Sequence, residues 1–224
     1  MPRFSGLQGS SAHAAEAGAL SRAARMLLRG LARKPFLGTS AGALFIGRGA
    51  RLSGMRHLHH TGRLVIEDGA EVQALSTGGV RFGSDVSIGA RSAIRPSSYY
   101  GGEVGAGLRM GDRSSIATGC FIGCSGAIDI GHDVMLGPGV QLHAENHRFD
   151  DAAAAIKGQG VERLGIVIED DCWIGAGTII TAGVRVGRGS VVGAGSVVTR
   201  DLPPLSVAAG SPARVLRSRV GAAR

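Results

Sequence analysis

The sequence is poor in aromatic residues, which make up 4% of its 224 residues and include one tryptophan and two tyrosines. Proteins that bind nucleic acid stack bases on aromatic rings and cluster their basic residues. The formal net charge is +8, but most of the arginines are dispersed along the chain. We therefore expect no nucleic-acid partner, despite a sequence pI near 10.6.

Cysteine is also scarce, and the three residues cannot all pair within one chain. Nothing else in the sequence indicates an oxidising compartment. Cys120 and Cys172 stand at small positions of the repeat described below, which predicts that they belong to the core. Cys124 follows Cys120 by four residues, but no second pair completes a zinc ligand set. We expect neither a bound metal nor a redox role.

Long apolar runs are absent, and none approaches the roughly 20 residues that a membrane-spanning helix needs. Arg22, Arg25 and Arg29 interrupt the first apolar stretch, which therefore lacks the continuous apolar region of a secretory signal peptide. These two observations lead us to expect a cytoplasmic protein.

What the sequence does contain is an aliphatic residue at every sixth position of one long segment. The members of this ladder are Ile168, Ile174, Ile180, Val186, Val192 and Val198. A period of six fits neither an amphipathic helix nor an alternating strand. It fits a chain that turns a corner every six residues, where 38 glycines supply permissive backbone. The pattern predicts an all-β solenoid, a parallel β-helix of hexapeptide repeats.

Shorter ladders with the same period precede the long one, for example Ile130, Leu136 and Leu142. The residues between ladders are predicted to leave the solenoid as loops, of which the longest runs from 143 to 165. We predict three regions. Residues 1–40 contain a disordered start and an amphipathic capping helix, residues 41–205 form the β-helix, and residues 206–224 form a basic C-terminal tail.

The N-terminal helix is predicted over Ala14–Lys34, after a disordered segment Met1–His13. Its apolar face consists of Leu20, Ala24, Leu27, Leu28 and Leu31. The arginines lie mainly elsewhere, and Pro35 ends the helix. Such a helix either caps the open end of the solenoid or makes a weak peripheral contact with a membrane.

The longest loop carries the residues best suited to catalysis, because a solenoid does not need such a loop for stability. It begins His143-Ala-Glu-Asn-His147-Arg-Phe-Asp150-Asp151. Two histidines among carboxylates can form a general-base site in which a carboxylate orients the imidazole. The spacing of the histidines does not match the zinc ligands of hexapeptide-repeat carbonic anhydrases. No Gly-x-Ser-x-Gly motif supplies a serine nucleophile.

Two further clusters have less specific interpretations. His57, His59 and His60 are predicted to form a basic, polar surface patch. Five arginines gather towards the C-terminus: Arg200, Arg214, Arg217, Arg219 and Arg224. They form either a solubilising tail or a site for a phosphorylated small molecule, because guanidinium groups pair bidentately with phosphate.

The chain resembles the hexapeptide-repeat acetyltransferases, in particular the branch of maltose, galactoside and capsule polysaccharide O-acetyltransferases. The motifs that carry the resemblance are Ile168-Glu-Asp-Asp-Cys-Trp-Ile-Gly-Ala-Gly-Thr-Ile-Ile, Val192-Gly-Ala-Gly-Ser-Val-Val-Thr-Arg-Asp-Leu-Pro and Ala209-Gly-Ser-Pro-Ala-Arg-Val. The resemblance spans residues 65–217. It implies a left-handed parallel β-helix with three hexapeptides to a coil. It also implies a homotrimer that holds acetyl-CoA between subunits and acetylates a sugar or glycan.

Carried across residue by residue, the family's catalytic histidine matches His147, with His143 as the secondary candidate. The resemblance assigns the acetyl-CoA contacts to Ala176, Ala194, Thr199, Arg200, Arg214, Arg217 and Trp173. Small residues at the turns let the pantetheine chain lie against the backbone, while the arginines meet the nucleotide phosphates. Trp173 either walls the cleft or has a packing role. No metal ion is implied.

The acceptor is where the sequence departs from the family. The galactoside branch has an asparagine upstream of the catalytic histidine, and the matching segment Ile116-Ala-Thr-Gly-Cys-Phe has none. Gln159-Gly160 is closer to the capsule and lipopolysaccharide branch, and Ser97, Ser98, Tyr99 and Tyr100 either stack on a sugar or form a plain loop. Three functions stay open. They are O-acetylation of a sugar in surface polysaccharide or glycoconjugate biosynthesis, N-acetylation of a nucleotide-linked amino sugar, and a non-catalytic binding or assembly module.

Overall fold

The computed structural model describes residues 8–96 and 103–220, with side chains from residue 18 onward. Residues 1–7 of the expected disordered start, the segment Ser97–Tyr100 and Arg224 lie outside the described residues. One helix, α1 (Gln8–Arg33), is followed by short strands, with single 3-10 turns at Lys34–Phe36, Met55–His57 and Ile156–Gly158.

The strands are two to six residues long. Those before residue 97 are β1 (Thr39–Ser40), β2 (Leu44–Ile46), β3 (Arg51–Ser53), β4 (Leu58–His60), β5 (Leu64–Ile66), β6 (Glu71–Gln73), β7 (Val80–Phe82), β8 (Val86–Ile88) and β9 (Ala93–Arg95). The next are β10 (Leu108–Met110), β11 (Ser115–Ile116), β12 (Phe121–Gly123), β13 (Ile128–Ile130), β14 (Met135–Leu136) and β15 (Gln141–His143). The last are β16 (Asn146–His147), β17 (Val161–Glu162), β18 (Ile166–Ile168), β19 (Trp173–Ile174), β20 (Ile179–Ile180), β21 (Arg185–Val186), β22 (Val191–Val192), β23 (Val197–Val198), β24 (Ser206–Gly210) and β25 (Ala213–Ser218).

Successive strands of the solenoid join three parallel sheets in turn. Sheet A has the order β1-β4-β7-β10-β13-β18-β21, and sheet C has the order β3-β6-β9-β12-β15-β20-β23. Sheet B runs β2-β5-β8-β11-β14-β19-β22-β24, and β25 joins its end antiparallel. Three flat sides around one core confirm the predicted fold class, an all-β solenoid of the left-handed parallel β-helix type.

The six-residue ladder fills the interior of this prism. Ile168, Ile174 and Ile180 lie on sheets A, B and C and are fully buried. Their partners in the next coil, in the same order, are Val186, Val192 and Val198. Each partner is eighteen positions further on, so three hexapeptides make one coil, as predicted. Adjacent coils lie about 4.8 Å apart, and each ladder is buried only because its neighbours stack on it.

Helix α1 packs on β2 at the first coil, and the residues that make this contact are not those of the apolar face seen in the sequence. Met26 and Gly30 are buried, and a Cβ added to Gly30 would lie 1.7 Å from the carbonyl oxygen of Leu44. Arg29 also donates a hydrogen bond from Nε to the carbonyl oxygen of Ile46, at 2.7 Å. The contact face is therefore built for close backbone approach, which leucines would prevent. The helix also begins at Gln8, six residues before the predicted start.

The C-terminal region is ordered sheet over the segment predicted as a tail. Strand β24 lies parallel to β22, with Val207 and Ala208 beside Val191 and Val192. Strand β25 turns back and pairs antiparallel with β24. Strand β25 thus covers the free edge of β24 and becomes the last strand of sheet B.

The three cysteines are free and buried, which agrees with the core position predicted for Cys120 and Cys172. Burial raises the pKa of the Cys124 thiol to about 12. The Cys120 and Cys172 thiols point to carbonyl oxygens of the adjacent coil. Among the described residues, no cluster of three histidine, cysteine or acidic side chains has a geometry that could hold a metal ion.

Candidate functional site

The long loop leaves sheet C after β15 and folds into a short ribbon. Strand β16 pairs antiparallel with β17, so that His147 lies opposite Val161. The amide of Arg148 also donates to the carbonyl oxygen of Gly160, at 3.1 Å. The imidazole of His147 is exposed at the end of β16. The predicted base therefore stands on a hydrogen-bonded ribbon that projects from the prism.

Arg163 braces the base of this ribbon. Its Nε donates to Oε2 of Glu145 at 3.1 Å, and its Nη2 donates to the carbonyl oxygen of Glu103 at 3.3 Å. Glu145 stands between the two histidines in sequence and was the candidate carboxylate to orient one of them. In the structure this carboxylate is paired with Arg163, so its role is to hold the ribbon.

The distal part of the loop is organised by Gln159. Its side-chain oxygen accepts from the amide of Asp151, and its side-chain nitrogen donates to the carbonyl oxygens of Asp151 and Ala154. These distances lie between 2.9 and 3.1 Å. A single amide thus closes the alanine-rich segment on itself. Gln159 is consequently a structural residue of the loop in this conformation.

His143 has a fixed environment at the start of the loop. Its Nε2 lies 3.1 Å from Oε1 of Gln141, and its ring centroid is 5.4 Å from that of Phe121. Because the Gln141 oxygen can only accept, Nε2 carries the proton and Nδ1 keeps a free lone pair. Partial burial lowers the pKa of His143, which favours the neutral ring. Phe121 and Gln141 were not predicted as site residues, although both occupy outward positions that stack on sheet C.

Two predicted donor contacts form a smooth edge between sheets B and C. Ala194 lies one coil beyond Ala176, and the amide of Gly195 donates to the carbonyl oxygen of Ala176 at 2.8 Å. Both alanines are exposed. A Cβ added to Gly175 would lie 2.5 Å from the amide nitrogen of Ala194. The stacked turns are therefore packed backbone to backbone, and the exposed edge offers a shallow strip without large side chains.

The C-terminal hairpin brings arginine to this edge. Arg214 pairs with Ala209, which follows the last residue stacked on β22. Arg217 pairs with Val207 further along the same hairpin, and both arginines are exposed. Trp173 lies three residues before Ala176, with 52% of its surface exposed. Hence the structure brings together Trp173, Ala176, Ala194, Arg214 and Arg217.

Thr199 and Arg200 lie at the other edge of sheet C, across from Ala176 and Ala194. Leu142, Ile180 and Val198 stack in consecutive coils, which places Thr199 two coils above His143, on the order of 10 Å away. Ala194 is five residues before Thr199, on the order of 15 Å along the strand direction. The predicted site residues therefore fall into two groups. The first group, which we call the donor edge, is Trp173, Ala176, Ala194, Arg214 and Arg217. The second, the histidine edge, is His143, His147, Thr199 and Arg200.

A groove on sheet A has a volume of about 500 Å³ and contains neither group. It is lined by stacked charged side chains, including Arg109 and Asp129, whose closest charged atoms are 3.8 Å apart. The charged side chains of this groove pair with one another, and the groove lies on the third side of the prism. We therefore do not include it in the candidate site.

Comparison with known proteins agrees with this architecture. The model of the hexapeptide repeat of succinyl-transferase matches residues 165–200. Galactoside O-acetyltransferase of Escherichia coli is 32% identical over 131 residues, which are 58% of this chain and 63% of the relative. A probable acetyltransferase of Mycobacterium tuberculosis is 30% identical over 164 residues, which are 73% of this chain and 52% of the relative. The chain thus spans about half the length of the curated relatives that it matches.

The solved structure of AntD, an N-acyltransferase from Bacillus cereus in complex with dTDP and 3-hydroxybutyryl-CoA, has the same fold. It superposes with a TM-score of 0.54 and 22% sequence identity over 83% of this chain and 85% of AntD. The matched repeat and the three parallel sheets show a β-helix of hexapeptide repeats, and the chain is similar in sequence to these acetyltransferases.

Proposed function

We propose that the protein is an acetyl-CoA-dependent O-acetyltransferase that acts on a sugar hydroxyl in surface polysaccharide or glycoconjugate biosynthesis. The observation that supports this most is the pairing of an exposed histidine on a braced ribbon with a smooth, arginine-flanked edge. The similarity to a galactoside O-acetyltransferase supports a sugar as the acceptor. The missing asparagine leaves the sugar itself open.

The active unit we propose is a homotrimer with its sites between protomers. Within one chain, sheet C separates the histidine edge from the donor edge, so a donor bound at Ala176 does not reach the imidazole of the same chain. A ring of three identical contacts places the histidine edge of one protomer beside the donor edge of the next. Met135 and Trp173, paired side by side on sheet B, are both more than half exposed, which suits a surface covered on assembly.

The donor edge fits the chemistry of acetyl-CoA. A pantetheine chain needs a strip of backbone without bulky side chains, which the stacked turns of Ala176 and Ala194 provide. Arg214 and Arg217 supply guanidinium groups for the nucleotide phosphates. The Trp173 ring lines one wall of the cleft. Thr199 and Arg200 of the neighbouring protomer line the other wall.

The proposed reaction is direct acetyl transfer. His147, as the general base, takes the proton of the acceptor hydroxyl while that oxygen attacks the thioester carbonyl. The C–O bond forms, the C–S bond breaks, and the imidazolium returns its proton to the departing thiolate. Backbone N–H groups at the cleft stabilise the oxyanion. His143, held neutral and oriented by Gln141, is the alternative base or positions the acceptor through its free Nδ1.

The experiment that tests this function measures thiol release from acetyl-CoA with a panel of free, nucleotide-linked and lipid-linked sugars. His147→Ala should lower turnover by about 10²–10⁴-fold, the usual contribution of general acid–base catalysis. His143→Ala should act mainly on the KM for the acceptor. Mild alkali should remove the acetyl group from the product, because esters are cleaved and amides are not.

Three results would contradict the proposal. An alkali-stable product would identify an amino acceptor instead of a hydroxyl. Turnover of His147→Ala within a few-fold of the parent would remove that residue as the base. Failure of the folded protein to bind acetyl-CoA in a titration would identify a binding or assembly module.

A further inference from the structure

The excess positive charge of the protein is concentrated in α1 and the first two coils. From residue 17 to 66 the chain has no aspartate or glutamate and has nine basic residues, while the whole chain has a formal charge of +8. The basic residues are Arg22, Arg25, Arg29, Arg33, Lys34, Arg48, Arg51, Arg56 and Arg63. The remainder of the chain is therefore close to neutral.

Part of this charge is compensated by the second coil. Arg22 and Arg51 form ion pairs with Asp68 and Glu71 there, at 3.5 and 2.6 Å, while Arg63 pairs with Asp85 of the third coil at 2.8 Å. Arg25 and Arg33 are exposed and have no carboxylate partner among the described residues. The N-terminal end of the prism therefore presents net positive charge to its surroundings.

The same end exposes an apolar stripe. Leu20, Leu28 and Leu31 are 72%, 66% and 51% exposed. With Ala24, these residues recur at helical spacing along the part of α1 that does not contact the solenoid, and we call them the outer stripe. The inner contacts of the helix are made instead by Met26, Arg29 and Gly30. One face of α1 is therefore packed on the solenoid, while the outer stripe on its other face is exposed and available to another partner.

We propose that the outer stripe, with Arg25 beside it and the other exposed arginines of α1 nearby, binds the surface of an anionic lipid bilayer. Leucines that enter the boundary between headgroups and acyl chains, flanked by arginines that meet lipid phosphates, are the chemistry of an interfacial helix. The contact is peripheral, because no described helix is both long and apolar enough to cross a membrane.

Charge and position favour lipid over two other partners. Nucleic acid would satisfy the arginines and leave the leucines in water. A second copy that docked through the same stripe would bring Arg25 of one copy near Arg25 of the other, and these like charges would repel. Helix α1 packs on β2, the first strand of sheet B. Strand β14, in the coil that leads into the His147 ribbon, lies four coils further on, about 20 Å away. A helix at the membrane therefore leaves the His147 ribbon accessible from solution.

The test is flotation of the full chain with phosphatidylcholine vesicles, with and without phosphatidylglycerol. The parent should float with the anionic vesicles only, and less in high salt. Leu28→Ser with Leu31→Ser, and separately Arg25→Gln with Arg33→Gln, should each weaken the binding constant by about tenfold. The matched control is Arg81→Gln with Arg109→Gln on sheet A, which removes the same charge and should bind within about twofold of the parent.

All of these side chains are exposed, so each variant should keep the thermal midpoint and the oligomeric mass of the parent. Three outcomes would overturn the proposal. The parent binds neither kind of vesicle, the sheet A control loses as much binding as the arginine variant, or the leucine variant changes the mass measured by light scattering. The last result would assign the outer stripe to a contact between copies.

Discussion

Arg163 donates from Nε to Oε2 of Glu145 across 3.1 Å, and this pair closes the base of the ribbon that carries His147. Removing the guanidinium releases the ribbon without touching the imidazole or the donor edge. We predict that Arg163→Met lowers kcat by about tenfold to a hundredfold, because displacing a catalytic group by about 1 Å costs this much. The KM for acetyl-CoA should stay near that of the parent. Steady-state kinetics with each substrate varied in turn provides the measurement.

Glu145→Gln is the companion variant for the same ion pair. The amide still accepts a hydrogen bond but loses the charge, so its effect on kcat should be smaller than that of Arg163→Met. Combining both substitutions should cost less than the sum of the single effects, because they break one interaction. Strict additivity would show that Arg163 does not act through Glu145.

A substitution at Gly175 tests whether the turns of the donor edge are closely stacked. A Cβ at this position would lie 2.5 Å from the Ala194 amide nitrogen and must push two coils apart. We predict that Gly175→Ala destabilises the protein by about 1–3 kcal/mol, the usual cost of overpacking, and raises the KM for acetyl-CoA. Gly158→Ala is the control, since nothing lies within 4 Å of its added Cβ. Equal thermal midpoints for the two variants would contradict this account.

Arg214 and Arg217 test the phosphate assignment. Replacing both with alanine should raise the KM for acetyl-CoA more than the KM for its dephospho form, because the latter lacks the phosphate on the ribose. Arg109→Ala on sheet A removes a comparable exposed arginine as the control. A similar rise for both donors would show that the two C-terminal arginines do not recognise that phosphate.

His60 was predicted to belong to a surface patch, but it is buried in the second coil. Its Nε2 is 2.5 Å from Oγ of Ser40, and its Nδ1 is 3.1 Å from the carbonyl oxygen of Gly62. Burial lowers the pKa of His60 below its usual 6.5. The folded protein therefore favours the neutral imidazole of His60. The stability that this group contributes to the fold is fully present above pH 6.5.

We predict that the free energy of unfolding falls as the pH drops below about 6.5, with a contribution from His60 of up to about 1.4 kcal/mol per pH unit. The unfolded chain takes up the proton first, which is why stability decreases on acidification. His60→Gln should flatten this slope, measured by urea unfolding between neutral and mildly acidic pH. His57→Gln, on an exposed residue, is the control. An unchanged slope in His60→Gln would exclude its titration as a cause.

The sequence predicts most of the solenoid because its core is one-dimensional. Each ladder residue, such as Ile174, needs only an aliphatic side chain and the correct spacing, and both are visible in the sequence. The residues through which α1 contacts the solenoid could not be predicted, for the opposite reason. Counting leucines selected Leu28, whereas close approach to Leu44 requires a residue without a side chain, Gly30.

Parts of the site depend on contacts between distant segments and were not predicted. The aromatic contact of Phe121 with His143 follows from stacking of adjacent coils, and the ion pair of Arg163 with Glu145 spans the entire loop. The strands of the C-terminal hairpin were hidden because the ladder stops before Pro203 and Pro204. Arginine spacing alone did not show that Arg214 returns to the donor edge.

The central claim is that each site combines the histidine edge of one protomer with the donor edge of its neighbour. Mixing two inactive variants, His147→Ala and Ala194→Glu, tests it most directly, because the glutamate blocks the exposed donor edge of its own chain only. After unfolding and refolding together, about one quarter of the sites in randomly mixed trimers would be intact. Recovery of activity to roughly that fraction of the parent is the predicted result. A mixture that stays inactive, although mass spectrometry shows mixed trimers, would contradict a site shared between protomers.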